Sequence, residues 1–300
     1  MAPTRPDLHP VLPPLGLRLG LNAAAAAVQA LGPHRYRLFD RIGNATFVLQ
    51  PGLRRAAIRN YHAAFPELTR REARRLAARS FREYVRTAID FLYVQHLPRT
   101  KVLSEMRVFG YETYMQGLQL AGKPGILVVI HHGSWDAPGA LAIANGVNLT
   151  SVMDDEGNAV MSNLVIWARA EIGVEVVLAS KSPRTLLQRL RAGGWVALVA
   201  DIPGDTPSVE VDFLNHKTLF SAAPGILAAH TGAPLVPATS VRTPTGGYLV
   251  ELYPPVTVAK DTDPAEALRQ LIPVFEAAVR RWPEQWFPFR QDLFLDLPDP

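Results

Sequence analysis

The sequence predicts an α/β fold, a mainly parallel sheet flanked by helices, with a helical layer on its N-terminal side. Three observations predict it. Between residues 126 and 252, short β-branched apolar runs alternate with helix-compatible segments, as in strands buried on both faces. The first third of the chain reads as helix. Composition, 48% hydrophobic against 19% charged over 300 residues, suits a globular chain that buries a sizeable core.

In chain order, residues 1–35 read as an apolar or interfacial segment, and residues 36–295 as a single α/β domain. Met1 to Pro14 is broken by prolines and Asp7, so no clean secretory signal is present. Val11 to Leu31 is largely apolar but carries Arg18 and Asn22. It falls short of the ~20 apolar residues of a spanning helix and predicts a helix lying in the interface. Ten Arg residues fall between Arg54 and Arg86, against Glu67, Glu72 and Glu83. Such a zone suits anionic lipid headgroups or nucleic acid, or is a solvated helix face.

Thr69 followed by Glu72 opens a helix with a capping box. Ala73, Ala77, Phe81, Tyr84, Ala88 and Leu92 then recur on one face, and Arg71, Arg75, Arg79, Arg82 and Arg86 on roughly the opposite one. The strand runs are 126–130, 149–153, 174–178, 196–200, 209–213, 235–240 and 248–252. Helices are expected at 136–144, 158–171, 182–191 and 222–231. Pro244-Thr245-Gly246-Gly247 reads as a hairpin turn, and a final helix over 264–281 precedes the aromatic tail from Trp282 to Phe287. No internal repeat is present, and Ala23 to Ala27 is the one low-complexity run.

His131 follows directly on the apolar run ending at Ile130, the carboxyl end of an expected parallel strand, where ligands collect. A general base needs a neutral imidazole aimed through its other nitrogen, and Asp136, five residues on across a tight turn, can reach back to do this. Three other readings fit the same residues. Asp136 or Ser134 can simply cap the next helix. His131, His132 and Asp136 can bind a metal, although adjacent strand residues point to opposite faces. Ser134 can be a nucleophile, although the Gly-x-Ser-x-Gly elbow is missing. Cys is absent, so neither a thiolate nucleophile nor a disulfide framework is available.

His131-x4-Asp136 resembles the signature of glycerolipid and lysophospholipid acyltransferases. The stretch Asn60-Tyr61-His62-Ala63-Ala64-Phe65-Pro66-Glu67-Leu68 resembles one in bacterial lipid A lauroyl/myristoyl acyltransferases and the related phosphatidylinositol mannoside acyltransferases. Further matches are Arg169-x3-Gly173, the strand ending at Asp201, 209–213, 231–237 and Pro283-Glu284-Gln285-Trp286, in consistent order from about residue 15 to 291. The chain departs from the common pattern at Phe213-Leu214-Asn215, where Phe-Phe-Gly is usual, and at Ile202-Pro203-Gly204-Asp205, where Gln/Arg-Asp is usual. Both departures bear on the acceptor more than on the chemistry.

The resemblance implies a glycerolipid acyltransferase-like fold and transfer of a fatty acyl group from acyl-CoA or acyl carrier protein to a hydroxyl of a glycolipid or phospholipid. No cofactor or metal is implied; the acyl donor is a co-substrate. His131 would take the hydroxyl proton, with Asp136 orienting it and Glu210 assisting it or binding the acceptor. Arg169 would grip a phosphate, and Asp201, Ser134 and Trp135 would line the substrate site. Backbone N–H groups of the Gly133 turn, or a basic side chain, would hold the oxyanion. The partners implied are the acyl donor, the lipid acceptor and an anionic membrane surface, and no nucleic acid. The place implied is the cytoplasmic face of the inner membrane, peripheral or N-terminally anchored, with the Arg stripe, residues 11–31, Trp282, Trp286 and Phe287 toward the lipid. Two rivals remain at this point. One is a metal-dependent phosphoesterase using His131, His132, Asp136 and the acidic run 154–156, and the other a lipid-binding relative without turnover.

Overall fold

A computed structural model describes residues 15–95, 97–153, 159–179, 182–204 and 207–298. The first third is helical: α1 (Leu15–Leu31), α2 (Arg35–Leu49), α3 (Pro51–Ala64), α4 (Arg70–Gln95) and α5 (Arg99–Ser104). The body follows as β1 (Met106–Phe109), α6 (Gly117–Leu120), β2 (Gly125–Val129), α7 (Ala137–Ala144), β3 (Leu149–Met153), α8 (Ala159–Glu171), β4 (Glu175–Leu178), α9 (Ser182–Arg191) and β5 (Trp195–Val199). The chain ends with β6 (Ser208–Phe213), β7 (His216–Ser221), α10 (Ala223–Thr231), β8 (Leu235–Arg242), β9 (Tyr248–Leu252), α11 (Pro264–Arg269) and α12 (Ile272–Arg281).

Seven strands form one sheet in the order β1-β9-β8-β2-β5-β3-β4, parallel throughout except at the β8–β9 hairpin. The expected turn at residues 244–247 makes that hairpin. β2 lies at the centre, wholly buried, between β5 and β8. Its alternate side chains feed two cores. Ile126, Val128 and Ile130 pack with Tyr61, Phe81 and Trp286, while Leu127 and Val129 pack with Leu141, Leu149 and Trp195. The second core lies under α7, and the first under α3, α4 and the C-terminal tail.

The structure corrects several expectations. Residues 209–213 do not join the main sheet but pair antiparallel with β7, which the apolar runs did not mark. The two strands meet at Leu214-Asn215, both at positive φ (53° and 66°), the twist a two-residue hairpin turn requires. β1, a short edge strand, was also not anticipated. The single final helix is two, because Pro273 has no N–H to continue the ladder and so sits in the first turn of α12.

The capping box at the start of α4 is formed. Thr69 N–H donates to Glu72 Oε2 at 2.8 Å and Glu72 N–H to Thr69 Oγ1 at 3.3 Å. Ala73, Ala77 and Phe81 are buried as expected, but Tyr84 and Ala88 are exposed; the Leu92 side chain lies outside the described residues. The buried line continues instead through Ser80, Thr87, Asp90 and Val94. The arginine stripe is likewise split. Arg71, Arg75 and Arg79 are exposed, whereas Arg82 donates to Asn44 Oδ1 at 3.2 Å and Arg86 is held by Asp40 and Glu83, under α2. Trp286, expected at the lipid surface, is buried against Tyr61, Phe213 and Phe294. Among the described residues no helix is long and apolar enough to cross a membrane.

Candidate active site

β2 and β5 are parallel neighbours in register, Val129 opposite Val199. Continuing each by two residues brings His131 and Asp201 side by side at the carboxyl edge of the sheet. Both oxygens of Asp201 accept from the His131 backbone N–H, at 3.0 and 3.1 Å, and Oδ1 lies 2.8 Å from ring Nδ1. An ionised carboxylate only accepts, so in the neutral ring this contact selects the tautomer with the proton on Nδ1 and the lone pair on Nε2. The His131 side chain is 30% exposed and that of Asp201 12%, so the pair is sheltered but reachable.

Asp136 does something else. Its Oδ1 accepts from Arg169 Nε at 2.8 Å, and Arg169 Nη1 reaches Ser151 Oγ at 3.4 Å. The expected Asp136–His131 bond is therefore corrected: the left-handed turn at Gly133 carries residue 136 onto the start of α7, where α8 presents Arg169. Asp136 stands at the N-cap of α7 yet makes no side-chain cap bond. Arg169, expected to grip a phosphate, is buried and committed to Asp136 and Ser151.

The backbone N–H groups of the 131–134 turn are all engaged. His132 N–H donates to Ile130 O at 2.7 Å, Gly133 N–H to Gln285 O at 2.7 Å, and Ser134 N–H to Ser240 O at 3.0 Å. Thr87 Oγ1 donates to Gly133 O at 3.2 Å. These amides are consequently not free to hold an oxyanion, which corrects that expectation. A glycine is required at 133, where φ is +58° and a Cβ would meet Ser240 O at 2.0 Å.

His132 points into the protein. Nε2–H donates to Trp282 O at 3.1 Å, Nδ1 is buried without a partner, and burial pushes its pKa down to about 4. It stays neutral, turned away from His131. Among the described residues no three His, Asp or Glu side chains are placed to share a metal ion, and the acidic run 154–156 lies outside them. Glu210 sits on the exposed face of the β6–β7 hairpin, its Oε1 3.7 Å from Lys217 Nζ. Its side chain does not contact His131, so of its two expected roles direct assistance to the histidine is corrected.

Ser134 is buried, and Trp135, half-buried, sets its ring 5.1 Å from that of His131, edge-on. Beyond Trp135 a narrow, mainly apolar cleft with a cavity of only about 30 Å³ lies between the sheet and α7, lined by Leu127, Val129, Leu149 and Ile172 with Asp136 and Arg169 at its polar part. Sequence reasoning placed Asp201 at the site without seeing it as the partner of His131. It also missed the buried group of Arg242, Asp90, Glu83 and Thr87 behind the turn. Arg242 Nε donates to Asp90 Oδ2 at 2.6 Å, and a second guanidinium nitrogen pairs with Glu83.

A profile of the family described as bacterial lipid A biosynthesis acyltransferase matches residues 17–294. Three relatives carry the name phosphatidylinositol mannoside acyltransferase. One, from Mycobacterium tuberculosis strain ATCC 25618 / H37Rv, is 26% identical over 222 residues, covering 73% of this chain and 69% of the relative. One from strain CDC 1551 / Oshkosh is 27% identical over 195 residues, 64% of this chain and 61% of the relative. One from Mycolicibacterium smegmatis strain ATCC 700084 / mc(2)155 is 26% identical over 183 residues, 60% of each.

Proposed function

The chain belongs to the bacterial lipid A biosynthesis acyltransferase family, transferases that act on lipids, and on that premise we propose that it moves a fatty acyl group from a thioester to a lipid hydroxyl. The donor in this reading is acyl-CoA or acyl carrier protein, and the acceptor a glycolipid or phospholipid. The name of the three relatives supports a mannosylated phosphatidylinositol as the first acceptor to try.

The observation that carries the reading is the 2.8 Å contact of His131 Nδ1 with Asp201, which leaves Nε2 free as a base at a half-exposed strand end. Nε2 takes the proton of the acceptor hydroxyl as its oxygen attacks the thioester carbonyl. The tetrahedral intermediate collapses, the C–S bond breaks, and the departing thiolate takes the proton from the imidazolium. Products are the lipid ester and the free thiol. Asp201 holds the tautomer and stabilises the transient cation, the part an aspartate plays in a hydrolase triad. A cysteine nucleophile is unavailable, and the acceptor attacks directly.

In the same reading Trp135, beside the His131 ring, walls the path of the acyl chain, and the Asp136–Arg169 pair fixes the start of α7 next to it. The protein binds an anionic membrane surface peripherally, at the cytoplasmic face. Exposed Arg71, Arg75 and Arg79 would supply the charge, and Leu15 and Leu19, 70% and 61% exposed on α1, the apolar contact.

The test is to incubate purified protein with labelled acyl-CoA, or acyl-loaded carrier protein, and a bacterial lipid extract, and to identify acylated products by mass spectrometry. A product is expected, and His131→Ala should lower its rate by about 10²–10⁴-fold. Full activity of His131→Ala, or no product with either donor, overturns the reading.

A further inference from the structure

Two sequence motifs far from His131, Asn60-Tyr61 and Pro283-Glu284-Gln285-Trp286, have no part in the chemistry above. The structure brings them together behind the turn. The Tyr61 hydroxyl lies 2.7 Å from the carbonyls of both Pro283 and Trp286, and Tyr61 is fully buried with its ring edge-on to Trp286 at 5.5 Å. Asn60 Nδ2 donates to Pro288 O at 3.0 Å and Arg290 O at 2.7 Å. α3 thus fixes the course of the C-terminal tail through its main chain.

The tail in turn fixes the turn. Gln285, buried, pairs its side-chain amide with the backbone of Arg242: Oε1 accepts from Arg242 N–H and Nε2 donates to Arg242 O, each at 2.9 Å. This locks residue 285 to the end of β8, so that its own carbonyl meets Gly133 N–H at 2.7 Å. His132 adds an antiparallel bridge to Trp286 and its Nε2–H···O bond to Trp282. Ser134 is tied to Ser240, two residues before Arg242, and Thr87 links Gly133 O to the Arg242 guanidinium at 3.2 and 3.3 Å. The residues on the C-terminal side of His131 therefore hang on one frame of tail and β8.

We infer that Gln285 is a positioning residue for His131, acting through the Gly133 amide, and that Tyr61 acts on the same path by holding the tail. The effect on catalysis rests on the proposed reading of His131 as base. Asp201 restrains the ring and backbone N–H from one side, and Gln285 restrains the next two peptides from the other. Releasing the second restraint lets the imidazole leave the geometry in which Nε2 faces the acceptor, and small misplacements of a base are costly.

The test compares Gln285→Met, which keeps volume and removes both amide bonds, with Gln119→Met. Gln119 is an equivalent structural amide elsewhere, accepting from Tyr111 OH at 2.6 Å and donating to Asn145 O at 2.8 Å. Gln285→Met should lower kcat by about 10- to 100-fold with KM for both substrates within about twofold, while Gln119→Met leaves kcat unchanged. In histidine ¹⁵N-labelled protein, the His131 ring resonances should move in Gln285→Met and stay in Gln119→Met. If Gln285→Met does not fold, Tyr61→Phe, which removes one hydroxyl, should still move those resonances and lower kcat by a smaller factor.

A folded Gln285→Met with wild-type kcat and unmoved resonances overturns the inference. Equal losses of kcat in the Gln285 and Gln119 variants overturn it too, and so does a Tyr61→Phe without effect where that variant stands alone. The resonances are read without turnover, so a wild-type protein that transfers no acyl group refutes the proposed reaction while the positioning is still tested.

Discussion

Two carboxylates at the sheet edge each hold a cationic or basic partner at 2.8 Å, yet the two pairs do different things. Asp201 holds the His131 imidazole through one ring nitrogen and leaves the other open. Asp136 holds Arg169, whose guanidinium offers only donors and is buried with a further contact to Ser151. Equal distance does not mean equal function. The first pair is open and chemical, and the second closed and structural, because the side chain opposite the carboxylate decides what a proton can do.

The largest effect that tests this contrast is Asp201→Asn. It keeps the shape but removes the charge that fixes the His131 tautomer, and should lower kcat by about 10²–10⁴-fold with little change in KM. Steady-state kinetics check it; a loss under tenfold would make the two pairs equivalent. Asp136→Ala should act on stability instead. It leaves Arg169 buried without its carboxylate, at the lower end of roughly 3–5 kcal/mol, read by chemical denaturation. If the folded Asp136→Ala protein loses as much kcat as Asp201→Asn, the contrast fails.

The smallest effect concerns His132, beside His131 but turned inward. Its pKa falls from 6.5 to about 4 on folding, so the folded state binds fewer protons than the unfolded state between those values. Stability from this group is complete above about pH 6.5 and is lost as the pH falls toward 4, by roughly 3 kcal/mol in all. His132→Asn should flatten that acid limb in denaturation curves taken between pH 7 and 4. An unchanged slope would mean that His132 is not held neutral by its burial.

Much of the fold was legible where the determinants are local. The Thr69–Glu72 cap forms because both bonds lie within one turn of helix, and the hairpin at 244–247 because its turn residues join adjacent strands. The second half of α4 was illegible because Thr87 and Asp90 look like surface residues until Arg242 arrives from 152 residues away to pair with Asp90. β6 reads as a core strand because Val209, Val211 and Phe213 alternate, and alternation does not name the partner strand. At the site, His131 stood out by its place at a strand end. Asp201 stands at the end of another strand, 70 residues later, and only the pairing of β2 with β5 makes them neighbours.

By itself the sequence determined the class of fold, the order of most elements, the position of His131 and the family resemblance, all of which depend on spacing along the chain. The tertiary structure decided which carboxylate serves the histidine. It also committed the amides of the 131–134 turn to other bonds, paired Arg169 with Asp136, and set Glu210 on a hairpin apart from His131. The physical reason is that hydrogen bonds are won by the nearest well-aligned group in space. In a parallel sheet, that group comes from the neighbouring strand more readily than from five residues along the same one.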